Sequence, residues 1–183
     1  MSTTEIPVEF VEVVTHARTR FVELPLGAGR AALITLDNGH DHTKPSTFGP
    51  GGLASLDAAI DAAMPLCVVI TEGIPVRDMI EIRAAALANG ARTTGPNSPG
   101  LISPGKAKMG FMPSFCFMRG PMGVISRSGS LSYEGCKRLT VAGIGQTTVV
   151  GIGGDPVKGM TAGEALALFH DDPETKAVLY LGE

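Results

Sequence analysis

The chain has 183 residues, with 15 Lys and Arg against 18 Asp and Glu, a net charge of −3, and 44% hydrophobic against 18% charged residues. This balance belongs to a folded chain rather than a disordered one, and without a basic block it argues against nucleic acid as a partner. No apolar run approaches the ~20 residues that cross a bilayer. The acidic start MSTTEIPVEF lacks the basic and apolar regions of a secretory signal, and Cys67, Cys116 and Cys136 form no C-x-x-C pair. The expectation is a cytoplasmic protein with no membrane segment, disulfide framework or zinc site.

The first third reads as strands: Val8 to Val14, Arg20 to Leu24 and Ala31 to Leu36, with LGAG at 26–29 as a hairpin turn. A long polar loop follows over 37–52, then a helix from Leu53 to Ala63 with Leu53, Leu56 and Ile60 on one face. From Leu66 the rhythm changes to alternating strand and helix. Leu66 to Thr71 is an apolar strand, and a helix over 75–89 opens at Pro75 and stops before Gly90. Ala91 to Thr94 is a short strand. Met122 to Ile125, Thr147 to Gly151 and Ala177 to Leu181 read as further buried strands. Helices over Ser130 to Ala142 and from Thr161 to about His170 separate them, the latter with the capping-box pair Thr161 and Glu164. Repeated strand–helix–strand units predict an α/β fold, with a parallel sheet covered by helices in three layers. The expected division is 1–63, 64–118 and 119–183.

The stretch MGVISRSGSLSYEGCKR (122–138) carries the strongest chemical signal. A strand that meets a Ser/Gly turn and opens a helix points unpaired N–H groups at one place, where the helix carries about half a positive charge. Ser126, Ser128, Gly129 and Ser130 are small enough to admit an anion. The same residues also suit ordinary N-cap chemistry with no ligand. No G-x-S-x-G elbow is spelled, so a serine hydrolase is not indicated. GIGGDP (151–156) lacks the third glycine of a dinucleotide fingerprint. His40, Asp41 and His42 are sequence neighbours on a polar loop, and a metal site is not expected of them.

Five stretches carry a resemblance: ITEGIPVRDM (70–79), TGPNSPGLISPGKAKMG (94–110), GVISRSGSLSYE (123–134), GIGQTTVVGIGGDPVKG (143–159) and YLGE (180–183). In order and spacing, residues from about 60 to 183 resemble the α subunit of succinate–CoA ligase and related nucleotide-forming acid–CoA ligases. The resemblance implies Rossmann-like and flavodoxin-like parallel-sheet units of that type, incomplete here and preceded by a short β-rich segment. It implies that Ile70, Thr71 and Glu72 border coenzyme A, at the carboxyl end of a parallel strand where α/β ligands bind. It implies that Tyr133 and Asn97 contact the acid substrate, and that Ser128, Gly129 and Ser130 face the phosphate of a phosphohistidine. Glu183, ending the LGE strand, would orient that histidine. Ser98 stands where many relatives have Cys. Each of these has a plainer reading: Thr71 and Glu72 as caps of the next turn, Tyr133 as packing on its helix, Asn97 as a turn former.

The family's histidine lies in a G-H-A-G-A stretch beyond Glu183, and none of His16, His40, His42 and His170 has that context. The family's amino-terminal Gly-rich CoA unit has no counterpart either. Instead, FVELPLGAGRAALITLDNGHDHTKPSTFGP (21–50) resembles the amino end of crotonase-fold enoyl-CoA hydratases, so the chain reads as a join near 58–63 of two incomplete parts. Three readings follow from this. The first is an acid–CoA ligase portion that uses coenzyme A and a carboxylic acid, with ATP or GTP and Mg supplied through a β-type ATP-grasp partner. The second is a non-catalytic CoA-binding module that mimics such a subunit. The third is an inactive hybrid.

Overall fold

The computed structural model describes residues 16–23, 30–37 and 65–182. Strands β1 (His16–Glu23) and β2 (Arg30–Asp37) pair antiparallel, from His16 opposite Asp37 to Glu23 opposite Arg30, as a two-stranded sheet of their own. Val8 to Val14, the 26–29 turn, His40 to His42, the helix at 53–63 and Glu183 lie outside the described residues.

The second sheet joins β3 (Leu66–Val68) in parallel to β4 (Arg92–Thr94). Between them runs helix α1 (Val76–Ala88), preceded by Pro75, which sets the backbone for the first turn. Met79, Ile82 and Ala86 recur at helical spacing and are buried against Cys67, Val69 and Ile74. Burial pushes the Cys67 thiol up.

The third sheet has five strands in the order β6-β5-β8-β7-β9. Its members are β5 (Gly100–Ser103), β6 (Ala107–Gly110), β7 (Arg119–Ser126), β8 (Gln146–Gly151) and β9 (Ala177–Leu181). β7, β8 and β9 are parallel, while β5 and β6 form an antiparallel hairpin added beside β8. Helix α2 (Gly129–Val141) covers one face and α3 (Ala162–Asp171) the other. Strand alternation divides the core accordingly. Val124 and Val149 pack with Cys116 and Cys136 on the α2 side, and Ile125 with Ile152, Ala165 and Phe169 on the α3 side. Burial, with Cys116 nearby, pushes the Cys136 thiol up to about 12.

Three expectations need correction. The strand at Leu66 does not join the sheet of the other predicted parallel strands, because its hydrogen-bonding partner is β4. The β5–β6 hairpin was not among the expected strands; Lys106 N–H donates to Ser103 O (2.9 Å) and closes a tight turn there. β9 is not buried, since it is the last strand on its side of the sheet and its side chains are exposed or half-buried.

At the amino end of β8, the buried Gln146 carboxamide accepts from Met118 N–H (3.2 Å) and donates to Ile144 O (3.1 Å) and Thr140 Oγ1 (3.4 Å). At the α1–α3 junction, Arg83 Nη1 donates to the Lys158 (2.8 Å) and Gly159 (2.6 Å) carbonyls, and Nη2 to Glu164 Oε1 (2.9 Å). Glu164 closes the predicted capping box with Thr161. Partial burial pulls the Glu164 carboxyl up, but hydrogen bonds from Thr161 N–H, Thr161 Oγ1 and Arg83 outweigh it and hold the group below its ordinary 4.5. A carboxylate depressed by folding contributes stability above its unfolded value and loses it as pH falls through the folded one. Glu164→Ala should therefore cost about 1 kcal/mol at pH 7. The gap to the wild type should narrow as urea unfolding is repeated progressively below pH 4.5.

Candidate functional site

β7 ends at Ser126, which pairs with Gly151 of β8 and Leu181 of β9, so three parallel strands reach their carboxyl ends together. The fully buried Ser126 Oγ donates to Ser128 O (2.7 Å) and accepts from Ser128 N–H (3.2 Å), locking the turn. Ser128 is the N-cap of α2, and its side chain accepts from Leu131 N–H (3.4 Å). Ordinary capping is therefore what the Ser128 hydroxyl does. Gly129 opens the helix; a Cβ there would lie 3.6 Å from Pro99 and 3.8 Å from the Tyr133 hydroxyl. The absent side chain keeps the space between Pro99 and the Tyr133 hydroxyl clear beside the first turn. Ser130 is exposed on the same turn.

Among the described residues, two polar atoms beside this turn are buried without a partner, Tyr133 Oη and Arg127 Nε. Such atoms cost free energy unless something else satisfies them. Burial, with Cys116 nearby, raises the Tyr133 hydroxyl above its usual range, so it stays protonated and able to donate. Arg127 N–H donates to Leu181 O (3.0 Å), and its guanidinium turns inward, Nη2 donating to Gly154 O (3.3 Å).

The opposite wall comes from the second sheet. Asn97 adopts φ 53, and its N–H donates to Thr71 O (2.8 Å). Its Nδ2 donates to Asp155 Oδ1 (3.1 Å), and its carbonyl accepts from Gly154 N–H (3.3 Å). Asn97 is thus a left-handed turn former whose side chain also reaches the β8 loop. Buried Thr94 and Ser98 hydroxyls both donate to Gly151 O, at 2.6 and 2.5 Å. Ile70 and Glu72 are exposed and Thr71 half-buried just beyond β3. Pro75, the N-cap of α1, makes no side-chain cap hydrogen bond.

The structure thus brings Thr71, Asn97, Ser128, Gly129 and Tyr133 to one pole, with Ile70, Glu72 and Ser130 exposed on the adjoining turns. Sequence reasoning missed two residues there, Asp155 and Lys158. Lys158 Nζ donates to Asp155 O (2.6 Å). Burial lowers its ammonium, the Arg127 guanidinium lowers it further, and Asp155 partly opposes this. The usable signal was two opposite charges on a Gly-Gly turn directly after a parallel strand, where α/β ligands bind. Among the described residues no group of three or more His, Cys, Asp or Glu side chains clusters as a metal site would.

A family model described as CoA-ligase matches residues 125–183. The α subunit of ADP-forming succinate–CoA ligase from Aquifex aeolicus is 52% identical over 127 residues, covering 68% of this chain and 42% of that protein. Subunit α 1 from Archaeoglobus fulgidus is 51% identical over 125 residues, covering 68% and 43%. Among solved structures, a dinucleotide-forming acetyl-coenzyme A synthetase 1 of Ca. Korarchaeum cryptofilum, in complex with phosphate and ADP, is 26% identical. It has a TM-score of 0.61 over 70% of this chain and 28% of that one. The chain spans less than half the length of these curated relatives. Residues 125–183 carry the CoA-ligase signature, and about two thirds of the chain is similar to the α subunit of succinate–CoA ligase.

Proposed function

We propose that the chain is the α-type portion of an acid–CoA ligase and supplies one wall of its acyl-transfer site. The observation that carries this reading is the pair of buried, unpartnered donors, Tyr133 Oη and Arg127 Nε, beside the open first turn of α2. A buried donor left unpaired is one that a ligand oxygen would satisfy. Tyr133 and Asn97 would hold the carboxylic acid, the Ser128–Ser130 turn would face the phosphoryl group with the Gly129 and Ser130 amides, and Ile70, Thr71 and Glu72 would border coenzyme A. A β-type ATP-grasp partner would bring ATP or GTP with Mg. The phosphoryl group passes from a histidine to the acid, and the CoA thiol then attacks the acyl carbon as phosphate leaves. Glu183 would orient the histidine. Of the described histidines, His16 lies on β1 and His170 in the last turn of α3.

Tyr133→Phe tests the reading. A purely structural hydroxyl costs stability when removed, but this one has no partner, so its loss should raise stability by up to about 1 kcal/mol. In calorimetric titration of the chain, the same variant should weaken succinate binding about tenfold. A Tyr133→Phe variant that is less stable and binds succinate as tightly as the wild type would overturn the assignment. The chain alone should make no acyl-CoA. Coenzyme A binding by the chain with an ATP-grasp subunit would support the ligase portion or a subunit mimic, and no binding an inactive hybrid.

A further inference from the structure

Arg127 and Lys158 share one turn. Arg127 Nη2 donates to Gly154 O (3.3 Å) and Lys158 Nζ to Asp155 O (2.6 Å), so the two cations sit on consecutive carbonyls. Like charges held this close repel unless something neutralises them. Asp155, the neighbouring carboxylate, turns one oxygen toward Asn97 Nδ2 (3.1 Å). Among the described residues, neither cation lies within salt-bridge distance of a carboxylate. Both side chains are half-buried, and Arg127 Nε keeps an unused, buried N–H. The amino end of α2 adds further positive potential alongside. Among the described residues, one diverted carboxylate faces the two cations, and Glu72 is exposed on the adjoining turn.

We propose that Lys158 and Arg127 form a two-cation clamp that selects dianions, a phosphoryl group or a dicarboxylate, over monoanions, with Lys158 the specificity-determining residue. Arg127 alone provides a planar fork sufficient for one carboxylate. Lys158 adds a second point charge that a monoanion leaves unsatisfied. The lowered Lys158 ammonium fits a group waiting for a counter-ion. This inference deepens the ligase reading, on which its choice of ligand classes rests.

The test is calorimetric titration of the full chain with inorganic phosphate at pH 8, succinate and acetate. The wild type should bind phosphate or succinate more tightly than acetate. Lys158→Gln should weaken the dianion about tenfold while changing acetate less than twofold, and Lys158→Arg should restore the preference. Lys106→Gln removes a cation already paired with Glu174 on the β5–β6 turn and should change nothing. A response to phosphate alone identifies a phosphoryl seat, and to succinate alone an acid seat; either supports the clamp. No dianion preference in the wild type, or equal weakening of acetate and dianions by Lys158→Gln, overturns it. Should Lys158→Gln not fold, the wild-type Lys158 13Cε resonance still decides: it must shift with a dianion and not with acetate. Failure of coenzyme A binding with an intact dianion preference would count against the ligase reading alone. Coenzyme A binding without the preference would count against the clamp alone.

Discussion

Gly153→Ala should destabilise the protein by more than about 3 kcal/mol and disorder the Asp155–Lys158 turn. Gly153 sits at φ +90, where an L-residue is strained, and an added Cβ would overlap the Pro96 carbonyl oxygen outright. Pro96 belongs to the wall that carries Asn97, so relief requires the two walls of the site to part. The adjacent Gly154 provides the control. Its added Cβ would meet the Asn97 Nδ2 at 3.4 Å with no unfavourable φ, and Gly154→Ala should stay within about 1 kcal/mol of the wild type. Urea unfolding of the two variants side by side would separate them. Equal stabilities would show that the Pro96–Gly153 approach does not hold the site together.

Gln146→Leu should cost about 3 kcal/mol, although it replaces a polar core residue with an apolar one. The carboxamide is fully buried, and its removal strands Met118 N–H and Ile144 O at once. Each stranded group costs about 1–3 kcal/mol, while the added apolar burial returns about 1 kcal/mol. The loss should appear in thermal and urea unfolding alike. A neutral substitution would mean that water reaches Met118 N–H.

The parts of the fold that sequence revealed are those written in local chemistry. The capping box at Thr161 and Glu164 is present as expected, and Ala177–Leu181 has the predicted bounds because an apolar run is bracketed by Lys176 and Gly182. The division of strands between sheets was not legible. Apolarity marks Leu66–Val68 as a strand but says nothing about whether β4 or β8 will be its neighbour. The β5–β6 hairpin was hidden because its turn residues, Pro104 and Gly105, mask four-residue strands on either side. At the site, small residues and hydroxyls announced the turn at 126–130. Asp155 and Lys158 passed unnoticed because their importance lies in what the fold sets opposite them, Asn97 and Arg127.

Hydrogen bonds cross between the two walls from both sides: Gly154 N–H to Asn97 O, Gly159 N–H to Gly95 O, the Thr94 and Ser98 hydroxyls to Gly151 O, and Arg83 to the carbonyls of 158 and 159. Such cross-stitching leaves no slack at this seam for hinge closure around a guest. Selectivity there has to be built into a standing shape and charge pattern, as in a mould rather than a jaw. Encounter with an anion would then proceed in one kinetic phase, fastest at low ionic strength and limited by shedding water rather than by a moving lid.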